Sequence, residues 1–244
     1  MDKMIYTAAS GANRIMEAQA IRAHNLANAD THGFKADLER VQAQVVPGVG
    51  NSLTTRVMAQ THSNSFDRQS GELNPTGRTL DLAIRDQGLF SVMTGAGEGY
   101  TRSGAIVPDA NGQLTIDGRP VVGIDGPIVL PEYRDLFIGD DGRISVLAAA
   151  GEVIEEVGQL KLVNPDLQAI EKGTDGLLYS RDGQMLAANN EVRVNSGYLE
   201  ASNVQAVSEM IASMDLSRQF EVQVKLMKSA EKLAEAGNRL LKNA

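Results

Sequence analysis

Gly95, Gly97 and Gly99, in the run GAGEGY, are the first residues whose spacing suggests chemistry, since closely set glycines let backbone N–H groups wrap a phosphate. The spacing is G-x-G-x-G rather than G-x-G-x-x-G or G-x-x-x-x-G-K-[ST]. The following YTRSGAIV reads as strand, not as the helix that would receive the anion, so a plain loop is expected. His24, His32 and His62 show no ligand spacing such as H-E-x-x-H, and the chain has no cysteine to complete a zinc site. Each reads as a surface or interface histidine, and no metal or cofactor is expected. Asp140-Asp141-Gly142 lacks the spaced carboxylates and closing glutamate of a calcium loop and reads as a hairpin turn. Ser10 and Ser103 precede glycines without forming G-x-S-x-G, and nothing nominates an acid–base pair for either. No catalytic residue is expected, and the chain reads as something other than an enzyme.

The bulk properties narrow the classes further. With 244 residues and 42% hydrophobic content the chain can bury a core, but aromatics are only 4%, so small side chains must do much of the packing. The net charge of −8 is unevenly placed: residues 1–40 are neutral, residues 204–244 carry +1, and the middle is left with −9. An acidic middle without a basic stripe argues against nucleic acid and against docking on anionic membranes. There is no run of 18 apolar residues to span a bilayer, and Ser10, Gly11, Asn13 and Arg14 interrupt any secretory leader, so no membrane insertion and no cleaved signal are expected.

Two helices and a β-rich middle must position whatever the chain does. Ile5, Ala8, Ala12, Ile15, Gln19, Arg22 and Leu26 alternate at spacings of three and four, with Ala9, Met16 and Ala23 widening the stripe, which predicts a helix from Met4 to about Asn28. Ser202 or Asn203 can cap a second helix from about Val204 to Leu241, roughly 55 Å long. Its apolar edge runs through Val207, Ile211 and Met214, then through Phe220, Val224, Met227 and Leu241, with a phase slip between Met214 and Phe220. Each helix alone is marginal in water and needs a partner. Between them, Asn111-Gly112, Asp117-Gly118 and Asp141-Gly142 divide short β-prone runs into hairpins. The stretch 45–76 has no convincing period and reads as an extended connector.

Three blocks of residues carry a family resemblance. Asn25-Leu26-Ala27-Asn28-Ala29-Asp30-Thr31-His32-Gly33-Phe34-Lys35 resembles the N-L-A-N-x-x-T-P-G-[FY]-[KR] signature of flagellar rod and hook proteins, with His32 where proline is common. Gly197-Tyr198-Leu199-Glu200-Ala201-Ser202-Asn203-Val204 is similar to the G-x-L-E-x-S-N-V that opens their C-terminal helix. Arg78-Thr79-Leu80-Asp81-Leu82-Ala83-Ile84, Gly88-Leu89-Phe90 and Tyr100-Thr101-Arg102-Ser103-Gly104 look like further blocks of the same family.

The resemblance implies a structural subunit of the bacterial flagellar basal-body rod, of the proximal-rod kind. Such a subunit is exported without a cleaved signal peptide by the flagellar type III apparatus and assembles in the periplasm with copies of itself and with proximal and distal rod subunits. A distal-rod subunit is the neighbouring reading. A binding module or hydrolase on a helical stalk is the reading from a different class. The expected fold is α+β: terminal helices paired as a coiled-coil-like domain around a β-rich centre. Its divisions are 1–35, a connector at 36–77, the centre at 78–194, and 195–244. The expected assembly interface is Ile5, Ala8, Ala12 and Ile15 with Val207, Ile211, Met214, Phe220, Val224, Met227 and Leu241.

Overall fold

The structure is a computed structural model, and it describes residues 2–45, 57–148, 151, 153–166 and 168–242. The chain divides into two compact units, one of residues 1–27, 37–66 and 204–244, the other of residues 28–36 and 67–203.

The first unit holds the two helices, α1 (Asp2–Ala27) and α2 (Ala206–Lys242). They pair antiparallel: Gly11 lies against Gln223 and Asn25 against Glu209, fourteen residues apart on each helix. The buried side of α1 is Ala8, Ala12, Ile15, Ala18 and Ile21, closing on Asn25. That stripe is rotated from the expected one, since Ala18, Ile21 and Asn25 are buried where Gln19, Arg22 and Leu26 are half-buried. A sequence of alternating threes and fours leaves the choice of step open at each turn, and alanine on both sides gives no contrast to decide it. On α2 the buried Glu209 and Ala230 share a side with the half-buried Leu216, Phe220, Gln223 and Met227. Small residues let the backbones approach: a Cβ on Gly11 would stand 3.3 Å from the Gln223 carboxamide carbon.

Two strands complete this unit, β1 (Asp37–Val45) and β2 (Val57–Phe66), antiparallel from Asp37 opposite Phe66 to Val45 opposite Val57, and lying alongside α1. A connector was expected at 36–77, yet its described residues supply this hairpin; residues 46–56 lie outside the described residues. β1 carries a short apolar alternation, Val41-Gln42-Ala43-Gln44-Val45, whereas β2 is polar throughout from Gln60 to Ser65, so only one of the two strands announces itself by its pattern.

The second unit is all strands and turns. β3 (Leu73–Pro75) pairs with Tyr198–Glu200 and β4 (Leu82–Ile84) with Val194–Ser196, so the last strands of the unit close on its first. A five-stranded sheet runs in the order Leu162–Val163, β5 (Leu89–Thr94), β6 (Gly97–Thr101), Leu178–Ser180, Ile170–Lys172. Tyr133–Ile138, Arg143–Ala148 and Ile154–Gln159 form a second antiparallel sheet. The expected turns at 111–112, 117–118 and 141–142 fall between paired strands, and the run at 95–99 is a two-residue turn, Gly95-Ala96, whose next glycines lie within β6. One apolar core joins the sheets: Leu82, Ile84, Phe90, Val92, Ile106, Leu114, Ile116, Ile144, Val146 and Leu160, all essentially without solvent contact.

Candidate functional site

The eleven-residue signature that ends α1 is divided between the two units, and each part makes a different polar cluster. In the first unit Asn25 is fully buried, its Nδ2 donating to the Asp37 carbonyl at 3.0 Å and its Oδ1 accepting from the Asp37 N–H at 2.8 Å. One side-chain amide thus replaces a strand partner for the first residue of β1. The same Nδ2 stands 3.5 Å from Glu209 Oε1, which Arg22 Nη1 reaches at 3.1 Å, and His24 Nδ1 lies 2.7 Å from the Asp37 carboxylate. The arrangement ties the end of α1, the start of β1 and the first turn of α2.

In the second unit, Gly33 has φ +70°, and a Cβ there would come within 2.2 Å of the Ser103 nitrogen; its own N–H donates to the Glu200 carbonyl at 2.7 Å. The left-handed turn and the close backbone explain why glycine stands at this position. It delivers Lys35 to a buried ion cluster in which Lys35 Nζ donates to Glu200 Oε1 at 2.6 Å and Arg102 Nε to Glu200 Oε2 at 2.7 Å. Glu200 is 1% exposed. The Arg102 guanidinium also donates to the carbonyls of Ile84, Asp86 and Gly88, and Lys35 to that of Gln69, so each cation is held by backbone carbonyls as well as by the carboxylate. Burial pulls the Lys35 ammonium below its usual pKa, opposed by the hydrogen bond and charge of Glu200. Each of the three sequence blocks that carry the family resemblance places one charge here: Lys35, Arg102 and Glu200.

Asn203, expected as a possible helix cap, does other work. Its Oδ1 accepts from the Ala36 N–H at 2.8 Å and its Nδ2 donates to the carbonyls of Asp67 and Gln69, while α2 begins three residues later with Gln205 as its first acceptor. The rest of the motif is accounted for locally. Thr31 bonds Asn28 through both backbone and hydroxyl, Phe34 lies beneath the Lys172 ammonium at 3.9 Å, and Leu199 is buried beside β3. Leu26, Ser202 and Val204 are half-buried, Ala27 is exposed at the end of α1, and Gly197 turns at φ +81° into Tyr198–Glu200.

Among the residues expected to form an assembly interface, Ala8, Ala12 and Ile15 are buried within the first unit, and Ile5, Phe220, Val224 and Met227 are half-buried. Val207, Ile211 and Met214 point to solvent, 70%, 57% and 64% exposed. The Leu241 side chain lies outside the described residues. The phase slip noted in the sequence is therefore the passage from one face of α2 to another. Sequence reasoning missed that the outward ridge continues beyond Met214 through Val222, Leu226 and Leu233, all exposed. The signal was present as spacing, with Arg218 filling the step between Met214 and Val222.

A second titratable cluster lies in the five-stranded sheet. Lys161 Nζ donates to both Glu98 carboxylate oxygens, at 2.9 and 2.8 Å, and the buried Tyr100 hydroxyl donates to Glu98 at 3.1 Å while accepting from the Leu186 N–H at 2.8 Å. Burial pushes the Tyr100 phenol up to about 12. Its groups satisfy one another, which is the habit of a structural network. Among the described residues no three His, Asp or Glu side chains converge as metal ligands, and no helix is long and apolar enough to cross a membrane.

Comparison with known proteins fits this geometry. The family model for flagella basal body rod proteins matches residues 5–35, and the model for the C-terminal part of flagellar basal body rod FlgEFG proteins matches residues 195–240, the two segments that supply the helices. The flagellar basal-body rod protein FlgF of Escherichia coli (strain K12) is 40% identical over 250 residues, covering 99% of each chain. FlgF of Salmonella typhimurium is 39% identical over the same span, and FlgG of Bacillus subtilis is 28% identical with 96% of this chain covered. Full-length similarity at this level, with both terminal signatures in place, means that the chain belongs to the flagellar basal-body rod protein family, as a structural subunit of the FlgF type.

Proposed function

We propose that the protein is a proximal-rod subunit that polymerises through its terminal helices, with copies of itself and with other rod subunits, and that it is not an enzyme. The observation that carries this reading is the uncovered face of α2. After α1 has taken one side of α2, the other still exposes Val207, Ile211, Met214, Val222, Leu226 and Leu233 to water. In addition α2 has 37 residues and α1 only 26, so about 16 Å of α2 backbone has no opposite helix. A long apolar ridge on a helix is a docking surface when something covers it. A repeating neighbour in a rod is such a cover, and a head-to-tail contact of this kind propagates rather than closes. The same reading has the chain exported by the flagellar type III apparatus without a cleaved leader and placed in the periplasmic rod.

The test is complementation of a strain lacking the gene. Met214→Asp puts a carboxylate on the ridge and is expected to abolish swimming and incorporation into purified basal bodies. Lys232→Gln, a solvated change on the same helix, is expected to leave both intact. Normal swimming with Met214→Asp would remove the ridge from the assembly surface.

A further inference from the structure

We propose that Asn25 and Glu209, with Arg22, are the register lock of the α1–α2 pair, selecting one among several sliding positions of similar apolar burial. The helices meet through small residues, Ala8, Gly11, Ala12, Ala18 and Ala230 among them. Ile15 and Ile21 of α1 and the row Leu216, Phe220, Gln223 and Met227 of α2 lie among them, and a slide of one turn, about 5.4 Å, keeps the same two faces together and sets the isoleucines against the next member of that row. The polar pattern is the opposite of degenerate. Among the described residues Asn25 is the one buried polar side chain on α1 and Glu209 the one on α2, and they meet. One turn to either side of Glu209 stand Gln205 and Ser213, so a slid α2 offers Arg22 no carboxylate and buries Glu209 away from both its partners. A lone buried polar group is costly when mismatched, and fixing register is its best-attested use.

Asn25 is held in turn by both backbone polar atoms of Asp37, so the lock refers α2 to the start of β1 as well as to α1. The consequence is that the exposed ridge of α2 is presented at one fixed height along the pair. Asn25, Arg22 and Glu209 are positioning residues, and this assignment concerns the free chain and stands whether or not the ridge is what neighbours grip.

The absence of cysteine from the sequence makes the test clean. In the full chain, Gly11→Cys with Gln223→Cys reports the native register by disulfide formation, while Gly11→Cys with Gln219→Cys or with Met227→Cys reports a slide of one turn in either direction. With the lock intact only the first pair should close under mild oxidation. With Asn25→Ala and Glu209→Ala together, one slid pair should rise at least about tenfold, to a yield similar to the native pair. Glu209→Gln, which can still accept from Asn25, should keep the native product dominant. Exclusive closure of the native pair in the double alanine variant, with helix content unchanged by circular dichroism, would overturn the proposal. So would loss of closure at all three pairs, because the residues would then hold the helices together rather than choose their register.

Discussion

The two units of this chain solve the burial problem in opposite ways. The β unit encloses Leu82, Phe90, Ile106, Ile144 and their neighbours completely, and it pairs the buried Glu200 with both Lys35 and Arg102. The helical unit packs Ala8, Ala12 and Ala18 of α1, with Ile15 and Ile21 among them, on one side of α2, and among the described residues of α2 it leaves seven large apolar side chains exposed. A unit of the first kind has a closed interior when it folds, although Phe137, Val153, Ile154 and Met185 stay exposed on its surface. A unit of the second kind has surface left over, and the remainder lies along the longest helix of the chain. The closed core lies in the middle of the sequence, and in the proposed reading association falls to its ends.

Removing the closing strands should be the most damaging change to the β unit. A fragment of residues 78–194 lacks β3, Tyr198–Glu200 and both Lys35 and Glu200, so Arg102 would be buried without its counter-ion; it is expected not to fold. A fragment of residues 28–203 keeps all of these and is expected to melt cooperatively. Calorimetry on the two distinguishes them, and equal cooperative melting of both would show that the ion cluster is dispensable. In the full chain, Glu200→Ala leaves two buried cations facing each other and should cost about 3–5 kcal/mol of the β unit's stability. Denaturant titration followed by β-sheet circular dichroism reads that loss.

Gly33→Ala comes next. A side chain there meets the backbone of Ser103 in a left-handed turn, so a loss of about 2 kcal/mol or more is expected, against a gain of about 0.4–1 kcal/mol for Gly→Ala at a relaxed site. The same titration measures it.

The alkaline limb of the stability curve isolates a third group. The Tyr100 phenol is raised from 10.0 to about 12 in the folded protein, so between those values the unfolded chain releases a proton that the native state retains. Stability from this source is fully present below pH 10.0 and is lost as pH rises toward about 12, by up to about 3 kcal/mol. Tyr100→Phe should lower stability by about 1 kcal/mol near neutrality, through the lost hydrogen bonds to Glu98 and Leu186, and should flatten the alkaline loss. An unchanged alkaline slope in that variant would place the titration elsewhere.

The smallest effect on the free chain is expected for Met214→Asp. A side chain already 64% exposed changes folding stability by less than ~0.5 kcal/mol when it becomes charged. Its opposite is Ile15→Asp, 2% exposed in the wild type, which should separate the helices and lower the helix signal on heating well before the β unit melts. If both variants behave alike in the free chain, the distinction between inner and outer faces is wrong.

The helices were legible in the sequence to within two residues at each described end, because 3.6-residue periodicity over long stretches is the strongest local signal. So were the hairpins at Asp117-Gly118 and Asp141-Gly142, whose turn residues fix the local backbone. The β1–β2 hairpin was not, since the alternation of Val41, Ala43 and Val45 in β1 is short and β2 is polar from Gln60 to Ser65. The ion cluster was hidden for another reason: Lys35 and Arg102 reach Glu200 across 165 and 98 residues of chain, and charge within a short motif says nothing about its partner. Asn203 looked like a cap because Asn at a helix start usually is one; here the chain needed its side chain three residues before the helix begins.

The measurement that bears most directly on the contrast between a finished and an unfinished unit is amide hydrogen exchange of the free chain beside the same chain in isolated basal bodies. Amides of Leu82–Ile84 and Leu89–Thr94 should be equally slow in both, because the β core is complete without neighbours. Amides of α2 should exchange faster than these in the free chain and slow by about a hundredfold or more on incorporation, as neighbours cover the ridge. An α2 as slow as the β core in the free chain, with no further slowing in the rod, would contradict the account.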